Sequence, residues 1–166
     1  MPNAKFVSLE SFAGHMIRLE NAKVLCSAGG MTQSDPKLLL RRSWAEAIAD
    51  KRSLGLLFYS KLFQLEPKTE ALFKEDMDAQ AKKLIATLSF IIDSLDEEDA
   101  LLAAAADLAV RHVAYNVTAD QYALVGQALL DTLRELLGTK FDPATEAAWA
   151  ETYTGLSQHM ISSAYG

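Results

Sequence analysis

Cysteine is nearly absent from this chain. The single Cys26 excludes an intrachain disulfide framework and a cysteine-rich zinc site. It reads as a packed small side chain rather than a reactive thiol. No apolar run approaches the ~20 residues that a membrane-spanning helix needs. The start, Met1-Pro2-Asn3-Ala4-Lys5, lacks the charged and then apolar profile of a secretory signal. Basic charge is in deficit: the net charge is -6, which disfavours nucleic acid and anionic membrane surfaces as partners. Gly-rich phosphate loops, internal repeats and low-complexity tracts are missing too. These absences point to a cytoplasmic chain with no membrane or nucleic-acid role. What remains is 166 residues, 50% of them hydrophobic, enough for one domain with a sizeable core.

Strand signals are missing as well, so almost everything reads as helix. Leu, Ala, Lys, Glu and Gln dominate, and alternating β-branched residues are scarce. Residues 5–27 carry Phe6, Leu9, Ala13, Met16, Ile17 and Val24 on one stripe, and Gly29-Gly30 ends that helix. Asp35-Pro36 opens a helix to about residue 50, with Leu39, Leu40, Trp44 and Ile48 on one side. Arg52-Ser53 opens another, to about 65, and Pro67 forces a turn. Residues 76–95 are strongly periodic in Met77, Leu84, Ile85, Leu88, Ile91, Ile92 and Leu95. The acidic stretch Asp96 to Asp99 suits the start of a helix leading to His112. Thr118 restarts a helix through about Leu137, Gly138 ends it, and Asp142-Pro143 opens the last, to about Ser163. Seven or eight helices in one small domain predict a globular all-α fold rather than a simple four-helix bundle.

Three histidines are present, His15, His112 and His159. Only His112 has an apolar residue one turn earlier (Leu108) and a turn-former soon after (Asn116). An imidazole on an apolar helical surface suits either a satisfied core position or the axial ligand of an iron porphyrin. A porphyrin pocket needs a second helix opposite, polar groups on it, and apolar walls. Gln80 and Leu84 lie one turn apart on one face of the 76–95 helix. Tyr59, set among Leu56, Leu57, Phe58 and Phe63, is a second candidate donor. If buried, its hydroxyl needs a partner, either a gaseous ligand or a backbone carbonyl. Phe73, after the Pro67 turn, is placed to stack on a flat ring or simply to fill core. His159, beside Met160 and Ile161, reads as packed or surface, and His15 lies in the N-terminal segment.

Three strings carry a family likeness: Arg111-His112-Val113-Ala114-Tyr115, Gln121-Tyr122-Ala123-Leu124-Val125-Gly126 and Ala148-Trp149-Ala150-Glu151-Thr152-Tyr153. Trp44, Tyr59, Phe63, Pro67, Phe73, Gln80, Leu84, Leu108 and Val117 precede or separate them at matching intervals. On these residues, roughly 32–165, the chain resembles a globin, of the bacterial single-domain type related to flavohaemoglobins. The resemblance implies an all-α globin fold over residues 32–166 with an N-terminal, helical extension over 1–31. It implies haem b as cofactor, His112 as the proximal iron ligand, and Tyr59 and Gln80 as the distal pair. Phe73 would wedge the porphyrin, and Leu84, Leu108, Val117 and Val125 would line the pocket. Lys83 would meet a haem propionate or remain a solvated lysine. Tyr122 matches a proximal tyrosine that, in flavohaemoglobins, joins a network with the histidine and a glutamate.

The chain departs from that pattern in several places. It stops at Gly166, so no flavin or nicotinamide reductase domain is expected, and Ala164 stands where the proximal glutamate would be. The stretch between Phe73 and Gln80 is a few residues short. Asn116 replaces a glycine common in relatives, and asparagine tolerates the left-handed turn. The expected function is reversible binding of oxygen and other diatomic gases, for transport, storage or scavenging. The alternatives are a nitric oxide dioxygenase served by a separate reductase, and a gas-sensing globin using residues 1–31 as an arm. A homodimer is compatible with any of the three.

Overall fold

The computed structural model describes residues 35–73, 76–114 and 117–165. The expected helix over 5–27, His15, Cys26 and the Asn116 turn lie outside these residues. Six α-helices account for most of the described chain: α1 (Pro36–Ala47), α2 (Lys51–Leu65), α3 (Met77–Asp93), α4 (Glu98–Ala114), α5 (Ala119–Leu137) and α6 (Pro143–Tyr165). Short 3₁₀ turns at Ile48–Asp50, Pro67–Leu72 and Gly138–Lys140 connect them. No strand occurs among the described residues. The all-α expectation holds, with six α-helices and three tight turns where seven or eight helices were expected.

Helix starts follow local acids that satisfy free backbone N–H groups. Asp35 accepts from the Lys37 N–H at 2.9 Å, with Pro36 in the first turn. Asp76 accepts from Asp78 at 3.0 Å, and Asp142 from Thr145 at 2.8 Å. The Gln121 side chain reaches back to the Thr118 N–H at 3.0 Å, as in a capping box. Helix α2 begins one residue earlier than the Arg52-Ser53 reading. Asp50 accepts from the Ser53 N–H at 3.0 Å and also takes its hydroxyl proton at 2.6 Å. Gly138 terminates α5 at φ 55°, a left-handed conformation that suits glycine.

Helix α2 is central: it packs against both α3 and α5, while α4 packs chiefly on α6. Helices α3 and α4 are therefore consecutive, yet each belongs to a different packed pair. Two tryptophans fasten α1 across this arrangement. Trp44 donates to Ser89 Oγ at 3.1 Å, and Trp149 donates to Ser43 Oγ at 2.9 Å, with their rings 5.9 Å apart. The apolar interior divides in two. The larger cluster centres on Leu40, Trp44, Leu54, Leu129, Leu133 and Trp149. The smaller joins Ala105, Leu108, Ala109, Tyr122 and Met160.

The corner between α3 and α4 is tied to the start of α1. Asp96 accepts from Lys37 Nζ at 3.0 Å and from Arg41 Nη2 at 2.7 Å. These bonds hold its carboxyl below the ordinary value of 3.8. The contribution is complete above pH 3.8 and is lost as pH falls through the depressed folded value. Denaturant melts at pH 5 and pH 3 should therefore show a smaller acid loss in Asp96→Asn than in the wild type. Because the groups are exposed, the difference is expected to be small. Equal losses would remove this corner from the acid response.

Candidate functional site: the α3–α4 cleft around His112

His112 lies in the last turn of α4, half-buried. Its Nδ1 lies 2.8 Å from the Leu108 carbonyl oxygen. A carbonyl only accepts, so Nδ1 carries the proton and Nε2 is left with its lone pair. Burial pushes the imidazole below its usual pKa, outweighing the opposing effect of the Leu108 bond. The neutral tautomer with a basic Nε2 is thus the one that the fold favours, and it is the form that ligates a metal.

Tyr122 stacks against this ring at 5.7 Å and 29°. The two residues expected to share a network do meet, through their faces. The Tyr122 hydroxyl is buried and has no hydrogen-bond partner among the described residues, and neither does Arg111 Nη1. The other terminal nitrogen of Arg111 pairs with Asp107 at 2.5 Å. Burial, with a contribution from Tyr165, raises the Tyr122 hydroxyl to about 12, so it stays protonated at neutral pH. Orphaned buried polar groups are rare in folded proteins, and here both flank His112. A prosthetic group carrying carboxylates and a large apolar plane fits these surroundings: a basic nitrogen, an unpaired guanidinium N–H, and apolar walls.

The opposite side belongs to α2 and α3. Tyr59 is buried, with its ring 5.0 Å from Phe73 and 6.0 Å from Phe63. Its hydroxyl donates to the backbone carbonyl of Gln80 at 3.4 Å. Tyr59 and Gln80 are brought together as expected, but through the Gln80 backbone. At that length the bond is weak. Burial raises the Tyr59 pKa, so the hydroxyl remains a donor. Gln80 itself is 2% exposed. Leu84, Phe73 and Val125 pack against the larger cluster; Leu108 and Tyr122 belong to the smaller, and Val117 packs against it. The expected pocket residues thus fall on the facing halves of a divided core. Lys83 is half-buried on α3.

Some supporting contacts have no local sequence signal. Tyr153 donates to the Tyr122 carbonyl at 2.7 Å, and a Cβ at Gly126 would sit 2.5 Å from the Tyr153 ring, so α5 and α6 touch closely. Tyr165 donates to the Val117 carbonyl, linking the end of α6 to the segment after α4. Ala164, where the glutamate was sought, packs against the smaller cluster. His159 Nε2 lies 3.1 Å from the Leu102 carbonyl, which gives it a structural role. No His/Cys/Asp/Glu cluster suited to a bare metal ion occurs among the described residues, and none of their helices is long and apolar enough to cross a membrane.

The globin family model matches residues 56–160, which include the whole arrangement from Tyr59 to His112 and on through Tyr153. The chain belongs to the globin family. This globin is 30% identical to the Globin-1 subunit beta of Anadara trapezia over 72% of its own length and 86% of that protein. It is 29% identical to the Globin-2 B chain of Anadara inaequivalvis over 72% of its length and 87% of that protein. A flavohemoprotein of Vibrio cholerae is 30% identical over 63% of this chain, but over only 27% of the flavohemoprotein.

Proposed function

We propose that this globin binds haem b in the α3–α4 cleft, with His112 Nε2 as the axial ligand, and that it reversibly binds oxygen. The supporting observation is the bond from His112 Nδ1 to Leu108, which leaves Nε2 as the ligating nitrogen. When bound, haem supplies an iron with one position open to a diatomic gas. The chain's residues do the rest. Arg111, through its unpaired N–H, and Lys83 are the cations available to the haem carboxylates. Phe73, Leu84, Leu108, Val117 and Val125 exclude water from the ring faces. Tyr122 steadies the imidazole by stacking. Tyr59 donates from the side opposite His112, exchanging its weak bond to Gln80 for a ligand that carries partial negative charge, and the Gln80 amide is the second donor.

A hydrogen bond to a charged group is worth about 1.5–3 kcal/mol, and ~1.4 kcal/mol is tenfold in affinity. Tyr59→Phe is therefore expected to speed oxygen release about tenfold or more, measured by stopped-flow displacement. Two donors imply tight binding and slow release, which favours scavenging over easy delivery. Rates unchanged in both Tyr59→Phe and Gln80→Leu would refute the distal assignment. A second reading, nitric oxide consumption served by a separate reductase, draws support from the likeness to a flavohemoprotein. Ala164 in place of the glutamate weakens it. Sustained nitric oxide turnover with an added reductase and nicotinamide cofactor would favour the second reading, and a single stoichiometric turnover would favour the first.

A further inference from the structure

An apolar cavity of about 30 Å³, open on one side, lies where the end of α3 meets α4 and α6. Phe90, Ile91, Leu101, Ala104, Leu156 and Met160 line it, and Leu108 closes its inner end. Phe90, Ile91, Ala104 and Leu156 are only half-buried, so the mouth presents apolar side chains at the surface. We propose that the N-terminal segment 5–27 of this same chain docks along that mouth, with its stripe of Phe6, Leu9, Ala13, Met16, Ile17 and Val24 turned inward.

Three observations select this occupant. The first is the tether. Lys37 and Arg41, in the first turns of α1, bind Asp96, and Asp96 lies less than two turns beyond Ile91. The chain therefore enters the fold beside the cavity. The seven residues 28–34 span up to about 20 Å when extended, enough to carry the segment across the corner. The second is the stripe. A helical face of six apolar residues is costly to leave in water, and an open apolar cavity is its complement. The third is charge. The rim beside the mouth is acidic: Asp93, Glu97, Glu98 and Asp99 are exposed and form no ion pair among the described residues. The segment carries cations, Lys5, Arg18 and Lys23, flanking its stripe.

The docking has a consequence for the site. Leu108 forms the inner wall of the cavity, and its carbonyl orients His112. A segment seated on the mouth presses on the helix that carries the ligating histidine, so residues 5–27 clamp α4 from the side away from α2.

The full chain, reduced and held under carbon monoxide so that it is diamagnetic, allows a direct test. A nitroxide is placed at Ser11→Cys in a Cys26→Ser background; Ser11 lies off the apolar stripe. The amides of Ile91, Leu101, Ala104 and Leu156 are expected to lose most of their NMR intensity, while Leu56 and Leu136 keep theirs. Adding Leu9→Ser and Ile17→Ser to the labelled chain should restore the lost intensity. These substitutions lie outside the globin core, so a folding failure does not confound them. Full intensity at the four amides overturns the proposal, as does a loss that the stripe variant leaves unchanged. Intensity lost when spin-labelled chains are mixed with unlabelled isotopic ones assigns the mouth to a second copy, and also overturns it.

Discussion

Gly55→Val should destabilise the fold and loosen the ligand-facing tyrosine together. A Cβ at Gly55 would sit 2.3 Å from the Ala81 Cβ and 3.0 Å from its Cα. The second contact is with backbone, so no rotamer change relieves it, and α2 and α3 must separate. Overpacking of this kind costs about 1–3 kcal/mol. Helix propensity favours any ordinary residue over glycine by up to about 1 kcal/mol, so the clash decides the sign. Tyr59 lies one turn beyond Gly55, and Gln80 immediately precedes Ala81. Separation at this crossing therefore stretches a Tyr59–Gln80 bond already 3.4 Å long. Gly55→Ala should show a milder form of both effects, and Ala81→Gly in the same chain should reverse them. A double variant no better than the sum of its single changes would show that the crossing does not set the spacing.

Leu133→Ala should produce the largest loss of stability, with little effect on the site. Leu133 and Leu54 are both 0% exposed, at the contact of α5 with α2. Emptying such a position costs about 2–5 kcal/mol, since the cavity collapses only in part. At about 2–4 °C per kcal/mol for a chain of this size, the midpoint of thermal unfolding should fall by roughly 4–20 °C. Leu136→Ala is the matched control: Leu136 is 36% exposed, and the change should stay within about 0.5 kcal/mol. Leu133 belongs to the larger cluster, whereas Leu108 and Tyr122 belong to the smaller. The variant should therefore keep the wild-type absorption spectrum at temperatures where it is folded. A spectral change with the fold intact would mean that the two clusters act as one.

Much of this arrangement is legible in the sequence because it is local. The helix starts at Asp35, Thr118 and Asp142 and the stop at Gly138 are set by residues within a turn of the events they control. His112 is legible for the same reason: the carbonyl that fixes its tautomer lies one turn back on the same helix. Tyr59 and Gln80 could be paired from spacing, but not the atoms that join them, because that depends on how closely α2 approaches α3. The residue that sets this approach, Gly55, reads in sequence as an ordinary weak point in a helix. Its reason lies in Ala81, on another element. The division of the core into two clusters is likewise invisible along the chain, since it follows from which helices pair. The bonds from Tyr153 to Tyr122 and from Tyr165 to Val117 also join segments far apart in sequence, and no periodicity announces them.

The central claim is that His112 is the axial ligand of a bound haem. The absorption spectrum of the protein reconstituted with haem, compared between wild type and His112→Ala, tests it most directly. The wild type should show a Soret band and the visible bands of a histidine-ligated haem. His112→Ala should lose that spectrum and regain much of it when free imidazole is added. Identical spectra in the two proteins, or no Soret band in the reconstituted wild type, would contradict the account.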